Sequence, residues 1–294
     1  MEAETRCSET EAPYDIAVPE RQTLPLVFAS PHSGARYPEA FVAASRLDPL
    51  TLRRSEDSFV DDIFADAPRI GAPLIRALFP RAYVDPNREP FELDPAMFRD
   101  DLPPYANTRS PRVASGLGTI ARVVANGAEI YHGKLSFAEA LGRIRQCYWP
   151  YHHALRELID ETRRRFGFCI LVDCHSMPSV GGPMDRDAGL ARVDFVLGDC
   201  HGTACAPVVV DTASAVLQDM GYVVTRNAPY SGGFVTRHYG RPAEHVHALQ
   251  IEINRVLYMN EERIERGTEL PLLQERVRHL IRALGALDEE RLAA

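Results

Sequence analysis

The sequence predicts an α/β fold: a mixed, largely parallel twisted sheet flanked by helices on both faces. Three observations predict it. Short apolar, β-branched runs alternate with helical segments along the chain. Two of those runs stop abruptly on polar residues followed by Pro/Gly turns, as buried parallel strands do when they deliver side chains beyond their carboxyl ends. No composition shift, repeat or long linker divides the 294 residues, so residues 21–294 are expected to form one domain behind a loose polar arm, residues 1–20.

Strands are expected at 25–30, 82–85, 168–173, 193–197, 222–226 and 247–253, each a short run of apolar residues. Between them, Ser136 and Glu139 form a capping box for a helix reaching about residue 148. Pro150 suits the first turn of a second helix, which carries Leu155, Leu158, Ile159 and Thr162 on one face and ends at Gly167. Further helices are expected over 207–220, closed by Gly221, and over 270–284. The segment 86–128 is rich in Pro, Asn, Arg and Gly and has little periodicity. Long irregular segments in compact domains are usually functional, so this one is placed over the site as a wall or lid.

The charge balance, 33 Lys and Arg against 41 Asp and Glu, argues against a nucleic-acid or anionic-membrane surface. The amino terminus has no apolar targeting region and no run is long enough to span a bilayer, which points to an unexported, cytoplasmic protein. Six scattered cysteines, at 7, 147, 169, 174, 200 and 205, do not form a disulfide framework and read as reduced, buried thiols.

Chemistry concentrates at the strand ends. His32 follows the first apolar run in Ser30-Pro-His-Ser-Gly34, and His175 follows the third in Asp173-Cys-His-Ser-Met-Pro178. Two neutral imidazoles on rigid elements, with a carboxylate as third ligand, suit zinc, although such sites accept other divalent ions. A histidine satisfied by a backbone carbonyl or by Asp173 is the plainer alternative. The carboxylate is sought in Glu56-Asp57-Ser-Phe-Val-Asp61-Asp62, where Asp57 and Asp61 would share a helical face. Asp61 and Asp62 also fit a solvated helix start.

Arg81, Asp85, Asn87, Arg88 and Glu89 crowd one turn, a donor-rich cluster suited to a substrate carboxylate and an oxyanion. Glu252 sits between Ile251 and Ile253, which point to the opposite face of a buried strand. A carboxylate there is costly unless used or paired, so Glu252 is a candidate general base with a raised pKa, or else the partner of Arg255 or Arg237. The glycine-loosened stretch from Tyr230 to Arg237 and His238 looks like a mobile segment able to close on an anion. Asp199-Cys200-His201 with Cys205 lacks the paired spacing of a closed zinc cage.

Taken in order, these motifs resemble the N-formylglutamate amidohydrolase family: Ser-Pro-His32-Ser-Gly, Asp57-(x3)-Asp61, Arg81-(x3)-Asp85-Pro-Asn87-Arg88, Asp173-Cys-His175-Ser-Met-Pro, Tyr230-Ser-Gly-Gly-Phe and Gln250-Ile-Glu252-Ile-Asn-Arg255. The family is similar in fold to the zinc carboxypeptidases and aspartoacylase. The resemblance implies zinc on His32, Asp57 and His175, with Glu56 in reserve as the carboxylate. By the roles of those relatives, Glu252 activates water, Arg81 stabilises the oxyanion, and Asn87 and Arg88, with Arg237, hold the substrate's carboxylates. One departure stands out: the relatives' first two ligands are a His-x-x-Glu, and here the position three after His32 is Ala35.

The implied substrate is a small N-acyl acidic amino acid, above all N-formyl-L-glutamate, cleaved to L-glutamate and formate. Two alternatives stand beside it: a zinc amidase or carboxypeptidase for another acyl amino acid or peptide end, and a non-catalytic binder of acidic ligands on the same fold. Oligomeric state is not legible.

Overall fold

The computed structural model describes residues 12–183, 185 and 187–293. Seven strands form one sheet: β1 (Tyr14–Ala17), β2 (Leu26–Ser30), β3 (Leu74–Ala77), β4 (Cys169–Met177), β5 (Phe195–Gly198), β6 (Val224–Arg226) and β7 (Val246–Asn254). Their order is β1-β3-β2-β4-β7-β5-β6. The pairs β2/β3, β2/β4, β4/β7 and β5/β6 are parallel, and β1/β3 and β5/β7 are antiparallel. The sheet is therefore mixed and mostly parallel, as expected. The two long central strands, β4 and β7, are buried throughout, which is why they read as near-continuous apolar runs.

Helices cover both faces. On one face, Tyr151, Ala154, Leu155 and Ile159 of helix Trp149–Phe166 pack on Val27, Ala29, Leu171 and Ala248. On the other, helices Pro207–Asp219 and Leu270–Gly285 pack on Phe28, Val172, Cys174, Leu249 and Ile251. Side chains alternate across a strand with period two, so β4 and β7 feed both cores from adjacent residues.

Ser136 caps the first long helical stretch by accepting from the Glu139 N–H at 3.2 Å. The two helices expected on either side of Pro150 are one continuous rod: Phe137–Arg143, a π-helical turn over Ile144–Tyr148, then Trp149–Phe166. Proline lacks an N–H and crowds the preceding turn, and the wider turn relieves both conflicts. Gly167 ends the rod at a φ of 85°, its N–H donating to the Arg163 carbonyl.

Three expectations change. Residues 82–85 are not a strand: the Tyr83 and Val84 N–H groups both turn back to the Pro80 carbonyl, and prolines at 80 and 86 remove ladder donors on either side. Within the expected arm, Tyr14–Ala17 is an edge strand along β3; residues 1–11 of the arm lie outside the described residues. Asp57 and Asp61 do not share a helix, because Asp57 precedes the short helix Val60–Ile63 and Asp61 lies in its first turn, bonded to Arg76 at 3.0 Å.

Cys147, Cys169, Cys174 and Cys205 are free and buried, and Cys200 is free and half-buried; Cys7 lies outside the described residues. No helix among the described residues is long and apolar enough to cross a membrane.

Candidate active site

The site arises where one face of the sheet changes character. Along β4 and β7, the register pair Leu171 and Ala248 is apolar and lies in the core. The next pair on that face is Asp173 and Gln250, and the one after is His175 and Glu252. Core on this face thus gives way to a polar pocket at the carboxyl end of the strands. His32 reaches the same place from the loop after β2, the strand beside β4, and its carbonyl accepts from the Asp57 N–H at 3.0 Å, fixing the loop that carries Asp57.

His32, Asp57 and His175 are all buried, and a ligand atom from each lies within 4.8 Å of the others. Asp57 Oδ2 is 3.3 Å from His32 Nδ1 and 2.9 Å from His175 Nδ1. Each imidazole's Nε2 points at a second carboxylate: His32 to Asp85 Oδ1 at 2.7 Å, His175 to Asp173 Oδ1 at 2.8 Å. With the Nε2 protons assigned to those carboxylates, both Nδ1 atoms present lone pairs toward Asp57. Thr236 in turn donates to Asp173 Oδ2 at 3.0 Å, and Arg255 donates to Asp57 Oδ1 at 3.1 Å. Two neutral imidazoles, a carboxylate and carboxylate-oriented second ring nitrogens make a donor set that fits zinc or a similar divalent ion.

Glu56, the reserve carboxylate, is engaged elsewhere: its oxygens accept from Tyr37, Arg53 and Ser58 at 2.7 to 3.0 Å. Among the described residues no second metal-ligand group forms, and Asp199 instead caps its own turn by accepting from Gly202 N–H and Asn227.

Glu252 is buried, and among the described residues its one side-chain hydrogen bond is from Gln250 Nε2 to Oε1 at 3.0 Å. Gln250 is itself held by the Gly233 N–H at 2.7 Å. No cation among the described residues lies within ion-pair distance of Glu252; Arg255 pairs with Asp57 instead. Burial drives the Glu252 pKa up to about 7, and nearby Asp57 and Asp173 push the same way against His175 and Arg81. Burial works to depress the His175 pKa, but Asp173, Asp57 and Glu252 outweigh it and hold the pKa well above the usual imidazole range. An ion bound at Nδ1 would displace that proton and leave the neutral imidazole of the donor set.

The cationic wall comes from the turn after Pro80 and from the irregular segment that follows it. Arg81 Nη2 bonds Asp85 Oδ2 at 2.8 Å, and its Nη1 approaches Asp57 Oδ1 at 3.9 Å. Arg88 spends Nε on the Leu117 carbonyl and Nη1 on the Asn87 carbonyl, both at 2.8 Å, which leaves Nη2 at 3.7 Å from Asp85. Burial, aided by Arg112 and Arg81, lowers the Arg88 pKa to about 10. The Asn87 carboxamide is fixed by the Val235 N–H at 2.7 Å, with Nδ2 at 3.0 Å from His175 Nε2, and a Cβ at Gly233 would collide with it. Tyr148 and His152 brace this turn from the long rod, donating to the Arg88 and Pro86 carbonyls at 2.8 Å.

These residues line a cleft of about 220 Å³. His32, Asp57, Arg81, Asn87, Arg88, His175 and Glu252 all face it. Arg237 does not: it is exposed on helix Phe234–Tyr239, whose inward positions are taken by Val235, Thr236 and Tyr239. Arg237, expected to help hold the ligand, is therefore not among the residues that line this cleft. Arg112 and Tyr230 do line the cleft. Tyr230 was visible in the sequence as part of a loose loop, whereas nothing in the local pattern marks Arg112.

A buried His–Asp–His cluster, a carboxylate poised near neutrality and an arginine-rich wall, all on the carboxyl edge of a mixed sheet, define an α/β protein built to act on a small anionic molecule. The sequence profile of the N-formylglutamate amidohydrolase family matches residues 24–259, and the chain belongs to that family. An N-formylglutamate deformylase of Pseudomonas putida is 31% identical over 81% of this chain and 83% of its own length. The enzyme of that name from Pseudomonas aeruginosa is 29% identical over 93% and 97%. The crystal structure of N-formylglutamate amidohydrolase from Ralstonia eutropha JMP134 superimposes with a TM-score of 0.83 at 38% identity, covering 92% of this chain and 96% of that one. A gene product of Agrobacterium tumefaciens, 20% identical with a TM-score of 0.68, shares the fold.

Proposed function

We propose that this protein is a metal-dependent amidohydrolase that converts N-formyl-L-glutamate and water to formate and L-glutamate. The observation that carries the reading is the placement of Glu252 beside His175 in a cleft that also holds His32, Asp57 and an arginine wall, in a chain of the N-formylglutamate amidohydrolase family. His32 Nδ1, Asp57 Oδ2 and His175 Nδ1 would hold a zinc or similar divalent ion, which when bound supplies Lewis acidity and brings the pKa of water down to ~7.

The chain's own groups do the rest. Glu252, with a pKa of about 7, takes a proton from the attacking water as its oxygen adds to the formyl carbon. Arg81 faces the negative charge that develops on the carbonyl oxygen. Glu252 returns the proton to the nitrogen as the C–N bond breaks, which leaves formate and a free amino group. Asn87 and Arg88 receive the carboxylate next to the scissile amide and keep the formyl carbon in reach of the base.

Product analysis tests this directly. Purified protein should release formate and L-glutamate one for one from N-formyl-L-glutamate. Turnover of other N-acyl amino acids or peptides with no formate from this substrate would reject it in favour of a different acyl specificity on the same scaffold.

A further inference from the structure

Among the described residues, the ion pairs of the cleft leave one cation without a carboxylate partner. Arg81 is matched by Asp85, Arg255 by Asp57, and Asp185 by Arg192 at 2.6 Å. Arg88 has only a long contact to Asp85, with two of its three nitrogens bonded to carbonyls. Arg112 lines the cleft, is exposed, and has no carboxylate partner among the described residues.

Its placement relative to Arg88 is structural. Arg112 sits in the short helix Pro111–Ala114, which buried Val113 anchors in the fold. The Leu117 N–H donates to the Arg112 carbonyl at 2.8 Å, and the Leu117 carbonyl accepts from Arg88 Nε at 2.8 Å. One residue therefore ties the two arginines to the same wall, and the charge of Arg112 is felt at Arg88. Two guanidinium groups held close without a full complement of anions repel each other, and an anion with two charges relieves that repulsion.

We propose that Arg112 selects a dicarboxylate, acting with Arg88 as a two-cation clamp on the two ends of an acidic N-acyl amino acid. The inference rests on the function proposed above and assigns its specificity. The amide nitrogen and the α-carboxylate share a carbon, so the α-carboxylate must lie near the reacting group, where buried Arg88 and Asn87 stand. The side-chain carboxylate projects away from the reaction, toward exposed Arg112 at the mouth.

The test compares N-formyl-L-glutamate with N-formyl-L-glutamine, equal in shape and lacking the second charge, for the wild type, Arg112→Ala and Arg112→Lys. The preference for glutamate, as a ratio of kcat/KM values, should fall about tenfold or more in Arg112→Ala, carried by KM, and be partly restored in Arg112→Lys. A preference unchanged in Arg112→Ala would overturn the clamp. Calorimetric titration of glutarate and butyrate separates this from failure of the proposed reaction. Arg112→Ala should weaken glutarate about tenfold or more relative to butyrate even in protein that releases no formate. Equal shifts for both acids would overturn the clamp whatever the enzyme's activity.

Discussion

His175 and Glu252 stand directly opposite each other in the parallel ladder of β4 and β7, four residues beyond the last apolar pair on that face. Neither can move without disturbing the two longest strands of the sheet, both buried throughout. The relationship places a carboxylate with a pKa of about 7 against a histidine of the candidate metal cluster. In Glu252→Gln, which keeps the shape and the Gln250 neighbour, kcat should fall about 10²–10⁴-fold while bound metal and KM stay within about threefold. Steady-state kinetics with metal analysis on the same preparation checks this; near-normal kcat removes Glu252 as the base.

The metal reading makes separate demands on ligands and on the groups behind them. His175→Ala should leave the purified protein without stoichiometric metal. Asp173→Asn keeps every ligand but loses the carboxylate on His175 Nε2, so metal affinity should drop about 10–100-fold, measured by competition with a chelating dye. Full metal occupancy in His175→Ala would show that the cluster is not the site.

Arg88 and Arg112 should separate by substrate. Since Arg88 is assigned to the α-carboxylate, Arg88→Ala should raise KM for N-formyl-L-glutamate and N-formyl-L-glutamine alike, by about tenfold or more. A loss confined to the glutamate substrate would move Arg88 to the side-chain end of the cleft.

Stability should fall on mild acidification because two histidines are buried neutral. Burial lowers the pKa of each to about 4. His152 donates from Nε2 to the Pro86 carbonyl, and His247 Nδ1 accepts the Ala206 N–H, a bond that protonation would break. Above about pH 6.5 folded and unfolded forms are both neutral and nothing is gained or lost. Between about 6.5 and 4 the unfolded chain takes up protons that the folded one refuses, so stability declines, by up to about 3 kcal/mol for His152. The difference in unfolding free energy between wild type and His152→Gln should therefore shrink from pH 7 to pH 5; a constant difference would contradict the assignment.

Much of the site was legible because it lies where local pattern and tertiary position coincide. Apolar runs ending on His32 and on Asp173 and His175 mark strand ends, and the alternation around Glu252 marks its face. What was not legible depends on long-range contacts or on backbone phase. Arg255 belongs to Asp57, 198 residues away, rather than to nearby Glu252. Arg237 follows a glycine-rich loop with no periodicity of its own, and only the helix phase turns it outward. β1, at the sheet edge, and β3 beside it are four-residue strands that gain definition from pairing with each other and with β2. The segment 82–85 has strand-like composition, yet its flanking prolines fold it into the turn that carries Asp85 and Asn87.

The central claim is a metal-dependent hydrolysis, and formate release from N-formyl-L-glutamate before chelation, after it and after zinc is returned tests it most directly. The account predicts activity that disappears with the chelator and returns with about one zinc per chain in the wild type, and that does not return in Asp57→Asn. Formate release that persists in fully metal-stripped protein, or that is restored equally in Asp57→Asn, would contradict it.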